Sequence, residues 1–132
     1  MSAITQKQIG IGQGVAMPTG TEVVVAYTGR CEANLPTLRA IVRGWVQFTT
    51  GAAATGLTLR MRRGNGVTGP IIGGTTPTIP YNANFTGDTT LIFTETLQNV
   101  EYADYSFTVQ QQGAAGNGTA LLGSIEVELI NG

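Results

Sequence analysis

The sequence predicts an all-β chain: a single-domain, eight-stranded antiparallel jelly-roll sandwich with a short N-terminal arm. Three observations point there. Apolar and polar residues alternate with period two in run after run, no stretch repeats with a helical period, and turn-forming clusters separate the runs. Many short strands with regular turn spacing belong to sandwiches and barrels.

Residues 1–14 read as a flexible arm or a loosely held first strand, because "MSAITQKQIGIGQG" holds Gly10, Gly12 and Gly14 and few core-forming side chains. The jelly-roll domain is expected over 15–132. Ile4, Ile9 and Ile11 would be wasted on a solvated tail, so the arm is expected to order against a neighbouring subunit or the surface of a larger assembly. Deleting residues 2–12 is then expected to leave the domain folded and to weaken assembly. Strands follow at about 21–28, 37–49, 56–63, 70–74, 77–82, 88–97, 103–112 and 120–130. In 37–49, Leu38, Ala40, Val42, Val46 and Phe48 share one face, and Arg39, Ile41, Arg43, Trp45 and Gln47 share the other. Leu57, Leu59 and Met61 oppose Thr58, Arg60 and Arg62. Near the end, Tyr105, Phe107 and Val109, then Ile125, Val127 and Leu129, form inward rows against polar partners. Stretches such as "MPTG", "TTGAAATG" and "QGAAGNGT" supply the bends between strands.

Composition narrows the function. Charged residues make up only 11% of the chain, against about 25% in ordinary soluble domains. Hydrophobic residues reach 42%, so the chain folds, with a surface built from uncharged polar residues that offer little resistance to association. Net charge is -1, which leaves no basic field for nucleic acid. No apolar run is long enough to span a membrane as a helix, and the N-terminus lacks the apolar region of a secretory signal.

Chemistry has little to work with. The chain has no histidine, which removes histidine triads and histidine-bearing metal sites, and no cofactor is expected. Cys31 is the single cysteine and reads as a buried thiol. The stretch "LTLRMRRGNGVTGPIIGG" gathers three arginines beside glycines, but it lacks the lysine and following helix of a phosphate loop. Asn65-Gly66 makes it a hairpin turn instead. In "EYADY", Glu101 and Asp104 flank Tyr102 and Tyr105, which suits either a sugar or cation contact or a strand-entry loop.

Arg39, Ile41, Arg43 and Trp45, with Arg60 and Arg62, would form one patch if their strands share a sheet. Arginine with an indole suits a protein interface or nucleic acid, and the negative net charge favours the interface, with intersubunit salt bridges to Glu126, Glu128 or Glu95. A strand with apolar residues on both faces needs an outer cover, and a subunit contact through Trp45 and Ile41 is the simplest one.

"LTLRMRRGNGVTGPIIGG" and the closing "YSFTVQQQGAAGNGTALLGSIEVELI" resemble the TNF/C1q-like jelly rolls found in bacteriophage structural proteins. The resemblance implies a homotrimer without catalytic residues, used for capsid decoration or at a fibre tip. On it rests the expectation of a virion structural protein, a capsid decoration (cement) protein that contacts the major capsid protein. It would sit on the virion surface after assembly in the host cytoplasm. The alternative is a receptor- or glycan-binding module of a spike or fibre tip.

Overall fold

Ten strands run through the computed structural model, which describes residues 3–32, 37–73, 76–98, 102–114 and 116–131. They are β1 (Ala3–Pro18), β2 (Glu22–Tyr27), β3 (Cys31–Glu32), β4 (Thr37–Thr49), β5 (Ala54–Arg63), β6 (Thr78–Pro80), β7 (Thr86–Gln98), β8 (Tyr102–Ala103), β9 (Tyr105–Gly113) and β10 (Asn117–Asn131). Eight of them build two four-stranded sheets, ordered β1-β10-β4-β7 and β2-β9-β5-β6, and β3 and β8 form a short ribbon beside them. All pairings are antiparallel, and five of them nest, β1 with β10, β2 with β9, β3 with β8, β4 with β7 and β5 with β6, while β10 with β4 and β9 with β5 join these hairpins side by side into sheets. The chain is thus one long hairpin wrapped around a core, which is the jelly-roll arrangement.

Alternation builds that core as expected. Val42, Val46 and Phe48 from β4 meet Leu57, Leu59 and Met61 from β5, with Tyr105, Phe107 and Val109 from β9 and Ile125, Val127 and Leu129 from β10, all fully buried. Buried aliphatic and aromatic side chains of this size each contribute about 1.5–3 kcal/mol.

The eight strands of the two four-stranded sheets agree in number with expectation, but their membership differs, and the β3-β8 ribbon is additional. Of the strand expected at 70–74, residues 70–73 are described and form none; Ile71 makes a single bridge to Arg62. Pro70 has no N–H for a ladder, and Gly73 takes a positive φ of 82°. The eighth strand is instead β1. The segment expected as a free arm is, from Ala3 onward, an edge strand paired along its length with β10. Its glycines are the reason. A Cβ on Gly10 or Gly12 would overlap the Tyr27 or Val25 carbonyl oxygen of β2. The two sheets therefore meet backbone to backbone at this corner, and only glycine fits.

Candidate functional site

Apart from β5 and β6 at the tip, consecutive strands of the two four-stranded sheets alternate between them, and this decides where the arginines fall. β4 lies in one sheet and β5 in the other. Arg39, Ile41, Arg43 and Trp45 consequently face outward on one side of the sandwich, and Arg60 and Arg62 face outward on the opposite side. The single six-residue patch does not form.

On the β4 side, registry sets the neighbours. Ser124 of β10, Trp45 of β4 and Thr90 of β7 lie side by side, and the next row is Glu126, Arg43 and Ile92. Arg43 Nη1 lies 3.0 Å from Glu126 Oε1 and 2.9 Å from Glu128 Oε1, so its charge is met within the face. The indole Nε1–H of Trp45 donates to Asp88 Oδ2 at 2.9 Å. Ile41 and Trp45 are half-buried and Arg39 is exposed. Ile92 at 55% and Ile11 at 74% exposure complete an outer face that sets large apolar side chains beside the Arg43–Glu126–Glu128 cluster. The side chains of Ile4 and Ile9 lie outside the described part of the structure.

On the β5 side, Arg62 grips Glu22 of β2 in a fork, Nε to Oε2 at 2.6 Å and Nη2 to Oε1 at 2.8 Å. Its Nη1 donates to the Gly69 carbonyl at 2.7 Å. Arg60 Nη1 donates to Gln110 at 2.7 Å and lies 3.4 Å from Glu22. Burial works to raise the Glu22 pKa, but hydrogen bonds from Arg62 and Thr108 and the charges of both arginines outweigh it and hold the carboxyl below its usual range. The glycine-rich stretch turns back as a hairpin, Arg63 N donating to Pro70 O at 2.9 Å. Its amides point into the protein: Gly66 N to Ser106 Oγ at 3.1 Å and Gly64 N to Asp104 O at 3.0 Å. A phosphate cradle needs such amides aimed outward. These arginines and amides hold the fold.

A third cluster occupies one end of the sandwich. The Tyr27 hydroxyl donates to Asp104 at 2.6 Å, and the Tyr105 hydroxyl donates to Glu95 at 2.7 Å. Arg63 Nε donates to the same Glu95 at 2.8 Å, and the Arg30 guanidinium lies 4.2 Å from the centre of the Tyr102 ring. Burial and the Asp104 carboxylate push the Tyr27 pKa up to about 12. Tyr105 is raised further, by burial first and then by Glu95. Burial raises Cys31 as well, keeping it a protonated, weakly nucleophilic thiol. The cavity among these groups holds about 50 Å³, enough for water and too small for a sugar ring. Glu101 lies outside the described residues, and Asp104 is occupied by Tyr27. Among the described residues no group of His, Cys, Asp or Glu could hold a metal ion.

The sequence reading missed a fourth feature. Ala54, Thr55, Pro80, Tyr81, Asn82, Ala83 and Phe85 line an open groove of about 490 Å³. Tyr81 and Phe85 stack at 5.5 Å between ring centres, and Tyr81 meets the core ring of Phe48 edge-on at 4.8 Å. The signal was the spacing in "YNANF", two aromatics inside a stretch otherwise rich in turn formers.

No protein-family model matches the chain, and no curated sequence matches it. Solved structures do. A chain of the T13 viral particle of infectious bursal disease virus matches at 8% identity and TM-score 0.50, over 97% of this chain and 35% of that one. A chain of the Gx strain of the same virus matches at 11% identity and TM-score 0.50, over 96% and 33%. A chain from the disulfide-linked pili of Bacillus endospore appendages matches at 20% identity and TM-score 0.37, over 94% and 91%. The protein spans about a third of the length of the viral chains. These likenesses concern the fold.

Proposed function

We propose that the protein is a non-enzymatic structural subunit of a virion, a capsid decoration protein of a bacteriophage that acts as a homo-oligomer against the major capsid protein. The observation that carries this reading is the outer face of the β1-β10-β4-β7 sheet. Trp45, Ile41, Ile92 and Ile11 stand there beside charges already paired with one another. A face of that kind loses little by desolvation, and each apolar side chain it buries contributes about 1–2 kcal/mol. The jelly-roll fold and the absence of histidine support a role in packing over one in chemistry. The arginines of the opposite face are committed to Glu22, and net charge is negative, so nucleic acid and membrane surfaces are not among the proposed partners. The ring proposed to close through this face is a trimer, the symmetry that the phage resemblance implies.

Two measurements test it. The purified protein should bind capsids lacking it, and light scattering should give an oligomer that Trp45→Lys dissociates while the fold persists. A wild-type monomer at micromolar concentration, or no capsid binding, removes the reading.

The aromatic groove favours a second reading, a glycan-binding module of a spike or fibre tip. Tyr81 and Phe85 offer a stacking surface beside the exposed Asn82 and Thr55, with no charged side chain in the lining. A glycan-array signal abolished by Tyr81→Ala would move the assignment there.

A further inference from the structure

A sheet edge is a row of unpaired backbone donors and acceptors, and folded proteins disarm it with short strands, bulges, prolines, lysines or a covering element. Three of the four edges here carry such a device. β6 is three residues long and ends in Pro80. β2 is bulged between Val24 and Ala26 and is packed against β1. β1 is bulged between Ile4 and Gln6. β7 has none. It runs 13 residues, Thr86–Gln98, without proline, lysine or arginine. Its ladder with β4 continues from Thr37↔Gln98 to Thr49↔Thr86 with no shift in register. Among the described residues β4 is its only strand partner, and no loop backbone bonds to the strand between Gly87 and Gln98.

The strand is also matched to itself. Ile92 is its midpoint, so a two-fold axis through Ile92 aligns the whole strand with an antiparallel copy, Thr86 opposite Gln98. Directly opposed residues share a face. On the outer face this register sets Ile92 against Ile92, Thr90 against Thr94 and Asp88 against Thr96. On the inner face it sets Leu91 against Phe93 and Thr89 against Glu95. Both acids meet threonine, so no like charges oppose, and the exposed Ile92 is covered by its own copy.

We propose that β7 pairs edge to edge with β7 of a second copy, antiparallel and centred on Ile92, to give one continuous eight-stranded sheet across two chains. The inference rests on the strand and not on the virion reading. If the sheet face closes a ring of three, the edge joins two rings; without the face contact it joins two monomers. In both cases the copy number is even.

Cysteine cross-linking reads the register. Opposed Cβ atoms in an antiparallel pair lie about 4.5–5.5 Å apart, so Ile92→Cys should be captured as a dimer by a short thiol–thiol linker. Thr90→Cys alone should not, because its opposite is Thr94, whereas the Thr90→Cys/Thr94→Cys double variant should. The native Cys31 is buried and stays out of the reaction. Trp45→Lys, which breaks the face contact, should leave the Ile92→Cys cross-link in place, so the two contacts fail separately. An odd copy number in the wild type, no cross-link at Ile92→Cys, or equal cross-linking of Thr90→Cys alone overturns the proposal.

Discussion

The ring of Phe107 in β9 lies directly over Gly44 in β4, so that a Cβ on Gly44 would sit 2.5 Å from the ring's Cγ. Gly44 occupies the inward row between Val42 and Val46, where alternation alone calls for a large apolar residue. The space is already filled from the opposite sheet. Gly44→Ala should therefore destabilise the protein by about 1–3 kcal/mol through overpacking, despite the gain in strand propensity. Urea unfolding should show a lower midpoint at unchanged slope. In Gly44→Ala/Phe107→Leu the two losses should be less than additive, because each relieves the other. An unchanged midpoint for Gly44→Ala would mean that the ring has room to move.

Much of this architecture is legible in the sequence, and each exception has its own cause. β4, β5, β9 and β10 alternate apolar and polar residues cleanly, and the 37–49 reading coincides with β4. β1 escaped because Gly10 and Gly12 stand at its inward positions, where β2 supplies backbone and not a cavity, so no apolar row marks the strand. The arginine patch failed for a different reason. Alternation tells which side of a strand a residue takes, but not which sheet the strand joins, and that is fixed by long-range pairing. The Tyr81–Phe85 groove went unread because a turn-rich stretch conceals aromatics held by tertiary contact with Phe48.

Removing β1 should be costly. Deleting residues 2–12 would strip β10 of most of one neighbour and open the corner packed on Val25 and Tyr27. The truncated chain should lose its cooperative unfolding transition or show a much lower midpoint. Gly12→Ala is the milder form, lifting β1 off the Val25 carbonyl at about 1–3 kcal/mol. Hydrogen exchange should speed up in β1 and the facing part of β10 first. A truncated protein of wild-type stability would return these residues to the role of a loosely held arm.

The last prediction concerns pH. Glu22 accepts two hydrogen bonds from Arg62 and one from Thr108 at 2.6 Å, and Arg60 lies 3.4 Å away. Its pKa is held below the ordinary value of 4.5, so the folded state favours the charged form more than the unfolded chain does. The stabilisation is complete above the unfolded pKa and is lost as pH falls through the lower folded one. Glu22→Gln leaves two arginines without their carboxylate and should cost about 1.5–3 kcal/mol near neutral pH, the range for hydrogen bonds to charged groups. The difference between wild type and variant should narrow on acidification, because protonated Glu22 no longer differs in charge from glutamine. Urea titrations of both proteins at roughly pH 7, pH 5 and pH 3 measure that narrowing. A gap that stays constant across the series would assign the loss to packing, and no gap at neutral pH would mean that the Arg62–Glu22 fork is too solvated to matter.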